Sequence, residues 1–209
     1  MNYLAHLLLS GDDPEWQLGG FLGDFVKGPL TPVPTDQLGG PWSPGIVAGM
    51  TLHRAIDAYV DQHPLYLQAL SRLGPEFRRI GGIALDIAFD HLLAIHWQRF
   101  SDRGLDDYCQ GIYRVFSQHE QRFPPSAALF SERMREFALL QSYRETETLE
   151  QVLIRVGKRL RFENRLAETY ALVEANRSLL TGDFLQLMPE LVVFAGERRT
   201  QLLDSVSQL

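Results

Sequence analysis

Residues 83–97 read Ile83-Ala84-Leu85-Asp86-Ile87-Ala88-Phe89-Asp90-His91-Leu92-Leu93-Ala94-Ile95-His96-Trp97. The apolar residues do not alternate, and they surround a helical wheel on all sides, which predicts a helix buried in the interior. Three groups interrupt the run before His96. Asp86 and Asp90 share a face, and His91 lies about 100° further round. An isolated buried charge is very costly. These groups must therefore meet hydrogen-bond donors, cations or a metal ion, and Arg54 and Arg99 are the main cationic candidates nearby.

Outward from this helix the pattern stays helical. Residues 14–28 predict a helix ending near Gly28-Pro29. The segment 29–45, with five prolines, predicts a loop or lid. Further helices are expected over 45–73, 83–100, 105–121, 126–140, 146–160, 163–179 and 183–206, with Pro189 starting or kinking the last. The expected fold is all-α, one compact multi-helix domain over 1–209, with the chemistry-bearing motifs in the first hundred residues.

Composition narrows the classes. The chain has 209 residues, 45% apolar and 22% charged, which excludes disorder. Its single cysteine, Cys109, excludes an intrachain disulfide and a Cys-rich zinc module. The start, Met1 to Trp16, lacks the basic region of a signal peptide. No stretch reads as the roughly 20 apolar residues that span a bilayer, so the expected location is the cytoplasm. A net charge of −6 argues against nucleic-acid binding. Two local basic clusters stand out, Arg72/Arg78/Arg79 and Lys158/Arg159/Arg161/Arg165.

Five of the six histidines fall in the first 96 residues. His53, Asp57 and Asp61 are spaced by four and share one helix face. His6 and Asp24 each sit in an apolar run. A lone buried histidine is more often a satisfied core residue, but recurrence in four segments favours a shared metal site over a buried structural network. Neither a phosphate-cradling Gly-rich loop nor Gly-x-Ser-x-Gly is present.

Four ordered segments resemble the acyl carrier protein phosphodiesterase family. They are Met1-Asn-Tyr-Leu-Ala-His6-Leu, Gly20-Phe-Leu-Gly-Asp24-Phe-Val-Lys-Gly28, His53-Arg-Ala-Ile-Asp57 with Asp61-Gln-His-Pro64, and Asp86-Ile-Ala-Phe-Asp90-His91 with His96-Trp97. The resemblance implies hydrolysis of the phosphodiester between 4′-phosphopantetheine and a serine of holo-acyl carrier protein. It also implies an HD-domain-like helical fold and a divalent metal, manganese first, with magnesium or iron as alternatives. By motif position, Asp24, Asp90 and His91 lead as metal ligands, followed by His6, His53 and Asp57. Asp61, Asp86 and His96 are expected to orient the ligands from behind. Asp24 is the candidate base, and His6 or His53 the candidate acid. Lys27 and Arg54 are placed to meet phosphate, and Arg72, Arg78 and Arg79 to meet the carrier. Alternatives are an HD-like phosphohydrolase of a nucleotide or other small diester, an HD-like di-iron oxygenase, and a helical scaffold with a structural His/Asp network.

Overall fold

A computed structural model describes residues 1–206. The order is α1 (Tyr3–Leu9), α2 (Pro14–Leu22), α3 (Pro44–Val60), α4 (Pro64–Ser71), α5 (Gly81–Ile95), α6 (Leu105–His119), α7 (Pro125–Glu136), α8 (Leu139–Ser142), α9 (Thr146–Arg159), α10 (Thr169–Ala175) and α11 (Arg177–Val206). Among the described residues there is no strand, only an isolated bridge between Thr35 and Pro41. The all-α expectation is met.

Several boundaries differ from the periodicity reading, each for a local reason. The stretch 45–73 is two helices because Pro64 opens α4 at its first position, with the His63 ring accepting from the Leu65 N–H as a cap. The helix expected over 126–140 is divided at Ala138, whose φ of 47° is left-handed. Helix α2 stops at Leu22. Pro189 neither starts nor ends α11, which runs through it from Arg177. Helix α1 lies in a segment read only as an apolar patch. Helix α11 is also long and apolar enough, by length and composition, to cross a membrane, which corrects the reading that no stretch is. Leu180, Phe184, Leu187, Met188 and Leu191 bury one side of it in the core. Asp183 on the same helix is buried too, paired with Arg72 at 2.7 Å.

Helix α5 is the interior helix expected. Ala84, Leu85, Ala88, Phe89 and Leu93 are shut off from solvent, and α1, α4, α9, α10 and α11 surround it. Each fully buried Leu or Phe contributes about 1.5–3 kcal/mol. Helices α2 and α3 pack by a different device. A Cβ on Gly19 would lie 2.3 Å from the Ile46 carbonyl oxygen, and one on Gly49 would lie 2.4 Å from that of Trp16. Two glycines thus let the backbones touch. The connection between these helices is a strap. Asp36 in it accepts from the Leu38 and Gly40 N–H groups and pairs with Arg122, while Trp42 is buried.

Candidate metal centre and cleft

The close approach of α2 to α3 and the position of α1 bring three side chains together. His6 and His53 stack with ring centroids 3.7 Å apart. Both direct Nε2 at Asp57, His6 at 3.0 Å from Oδ1 and His53 at 3.2 Å from Oδ2. One donor atom from each of the three lies within 4.8 Å of the others. Asp24, just past α2, stands 3.8 Å from His53 Nε2.

The orientation of each imidazole has a cause. Nδ1 of His53 is 2.8 Å from the Gly20 carbonyl oxygen, which can only accept. Nδ1 therefore carries the proton of the neutral ring, and Nε2 offers its lone pair. Gly23 leaves room for that ring. His6 is carried by α1, whose first turn is held from outside. Asp90 accepts from the N–H groups of Leu4 at 2.8 Å and Ala5 at 3.0 Å, so a carboxylate of α5 caps α1 across the fold. Asp90 is fully buried, and burial pushes its carboxyl up to about 7 against the pull of those two N–H groups.

Asp86 accepts from the Met1 α-ammonium at 2.9 Å and the Tyr66 hydroxyl at 2.8 Å. Burial works against the ammonium charge, but Asp86 and Asp57 outweigh it and raise its pKa. Asp57 keeps its charge. Burial would raise its carboxyl, yet His53 and His6 hold it well below the carboxylate range. Burial and the neighbouring His53 push His6 down to about 4, so its ring is neutral at pH 7.

The donor set fits a divalent cation. Neither nitrogen of His6 has an aligned hydrogen-bond partner, although both are buried. An unpartnered buried nitrogen beside a second lone pair and a carboxylate leaves a common point that only a proton or cation satisfies. Two imidazoles and a carboxylate suit a transition-metal ion better than Mg2+, which prefers oxygen.

The other residues singled out in the sequence distribute as follows. His91 donates from Nδ1 to the Tyr143 carbonyl oxygen at 2.6 Å, away from the three-residue group. Asp61 lines the cleft beside Asp57, and burial with the charges of Asp57 and Asp86 raises its carboxyl. His96 is at the far end of α5, about 15 Å along the axis from Asp86. Both terminal nitrogens of Arg54 bond to the chain, to the carbonyls of Gly28 and Val26 at 2.8 Å. Arg72 pairs with Asp183, Arg79 lies over Phe162, and Arg78 and Lys27 are exposed.

A cleft of about 1120 Å³ opens from the centre. Asp24, Asp57, Asp61 and Asp86, from the first five helices and their connections, make up its acidic wall, and Arg133, Arg155, Lys158 and Arg159, from α7 and α9, its basic wall. Ile83, Ile87, Val152 and Val156 add apolar lining. Lys158 and Arg159 are legible in the sequence as half of a basic cluster. Nothing in the sequence shows that α9 faces the first helices.

Residues 1–191 match the profile of the family described as acyl carrier protein phosphodiesterase. The chain belongs to this family. The acyl carrier protein phosphodiesterase of Serratia proteamaculans (strain 568) is 30% identical over 200 residues, covering 95% of this chain and all of its own. The acyl carrier protein phosphodiesterase of Yersinia pestis is 31% identical over 198 residues, covering 92% of this chain and 96% of its own. That of Enterobacter sp. (strain 638) is 28% identical over 201 residues. No solved structure matches the chain. The match to the family extends through α9 and so includes both walls of the cleft.

Proposed function

We propose that this chain hydrolyses the phosphodiester linking 4′-phosphopantetheine to a serine of holo-acyl carrier protein, releasing the apo-protein and 4′-phosphopantetheine. Family membership supports the substrate. The observation that carries the chemistry is the convergence of His6 and His53 on Asp57, which lines the cleft. Those residues would hold a divalent cation, manganese by the family resemblance, in an HD-like helical domain. When bound, such a cation supplies positive charge to phosphate oxygens and acidity to a water molecule.

The chain's own groups do the rest. Asp24, exposed on the cleft side of His53, accepts the proton of the attacking water. The water oxygen bonds to phosphorus as the bond from phosphorus to the serine oxygen breaks. That oxygen takes up a proton as it leaves, and Asp61, which lines the cleft beside Asp57, is the candidate donor. Lys158 and Arg159 meet phosphate charge from the opposite wall. A bacterial cytoplasmic location is part of this reading, since carrier-bound prosthetic groups are intracellular.

The test is incubation with holo-acyl carrier protein and Mn2+, followed by intact mass. Loss of one phosphopantetheine group, abolished by chelator and by Asp57→Asn, is the expected result. An unchanged carrier mass, with the protein folded and metal bound, overturns the substrate and leaves hydrolysis of a small diester.

A further inference from the structure

The basic wall holds more cations than a single phosphodiester can use. Lys158 and Arg159, in the last turn of α9, face the acidic end, and the charge of Arg159 is felt by the Tyr3 hydroxyl beside Asp24. Arg155 lies one turn earlier, about 6 Å along the axis, and Arg133 comes from α7. Among the described residues, no carboxylate is within ion-pairing distance of Arg133 or Arg155, although Glu136 lines the same lip.

Phe137, one turn after Arg133, is 56% exposed. The Arg155 guanidinium lies over its ring at 5.9 Å. Ala138, the next residue, has φ 47° and ψ 44°. This left-handed residue ends α7 and turns the chain into α8, which leaves Phe137 at the corner. An exposed aromatic ring near two arginines that have no carboxylate partner, Arg155 meeting only the Gln151 side-chain oxygen at 3.5 Å, has the composition of a protein-contact centre.

We propose that Arg133, Phe137 and Arg155 form the docking surface for the protein body of the substrate, an acidic face that also presents an apolar side chain. This rests on the function proposed above. The prosthetic arm carries no charge beyond its phosphate, so cations outside the phosphate's reach find their counterpart only in the protein that bears it. Opposite charges at such a rim set encounter and KM more than turnover.

The experiment compares wild type with Arg133→Glu, Phe137→Ala and Arg155→Glu, each checked for an unchanged melting temperature. Two substrates are used with Mn2+: holo-acyl carrier protein and bis(p-nitrophenyl) phosphate. The expected result is a KM for the carrier raised about tenfold or more by each charge reversal, and less so in high salt. The kcat, and turnover of the small diester, stay as in wild type. Unchanged KM for the carrier, or equal losses on both substrates, overturns the proposal. Binding of fluorescently labelled apo-acyl carrier protein separates this from the function itself. A wild type that cleaves no holo-carrier yet binds apo-carrier, more weakly after Arg155→Glu, loses the reaction and keeps the surface. Binding to anionic phospholipid vesicles through these residues, with no effect on carrier binding, assigns the lip to a membrane and overturns it.

Discussion

A methyl group on Gly23 would stand 2.4 Å from Cγ of His53. Side chains do not approach that closely, so the ring must turn or α2 must withdraw. Gly23→Ala is therefore expected to weaken Mn2+ binding about tenfold or more, with a stability loss of about 1–3 kcal/mol. Isothermal titration and thermal melts read the two effects separately. Gly49→Ala meets backbone in place of a movable ring, so it should cost stability first.

Asp57 is the anion shared by both imidazoles. Asp57→Asn keeps its shape and removes its charge. Hydrolysis of holo-carrier is expected to fall by at least about 100-fold, along with metal affinity. Its side chain is 43% exposed, so the fold should persist, and circular dichroism checks that.

Arg54 acts on the site through the chain, by fixing the carbonyls of Val26 and Gly28 just beyond Asp24. Arg54→Met frees that turn and lets Asp24 drift. A displacement near 1 Å can cost about 100-fold in rate, so kcat should fall about 10- to 100-fold, while Mn2+ affinity changes little. Lysine at 54 restores one of two donors and should recover part of the rate. A loss confined to KM would instead mean that the guanidinium meets substrate.

Asp90 and His6 give the metal-free fold opposing pH responses. The Asp90 carboxyl is raised from 3.8 to about 7. Its contribution to stability is full below its unfolded value and lost as pH rises through 7. His6 is lowered from 6.5 to about 4. Its contribution is full above 6.5 and lost as pH falls through 4. Asp90→Asn removes the first and leaves the second. With chelator present, melting temperature between pH 4 and 7 should climb more steeply with pH in the variant than in wild type.

The buried character of α5 was legible because its apolar residues leave no polar face. The need of Asp86, Asp90 and His91 for partners was legible too. Who the partners are was not. An ammonium, a tyrosine and backbone groups of α1 and Tyr143 answer them, and sequence periodicity carries no information on which helix end abuts which side chain. The His53 to Asp57 spacing was readable as one face. The stacking of His6 onto that face was not, because it depends on two glycines whose role shows only when α2 meets α3. The basic wall escaped for the same reason. Arg72, Arg78 and Arg79 adjoin the motif helices in sequence, but Arg133, Arg155, Lys158 and Arg159 adjoin the cleft in space.

The cap that Asp90 places on α1 has a consequence for biosynthesis. His6, His53 and Asp57 have all left the ribosome some thirty residues before Asp90 does. Until then the N–H groups of Leu4 and Ala5 lack the acceptor that the folded chain gives them. The support of His6 is thus a long-range contact, formed only after the interior helix has been made.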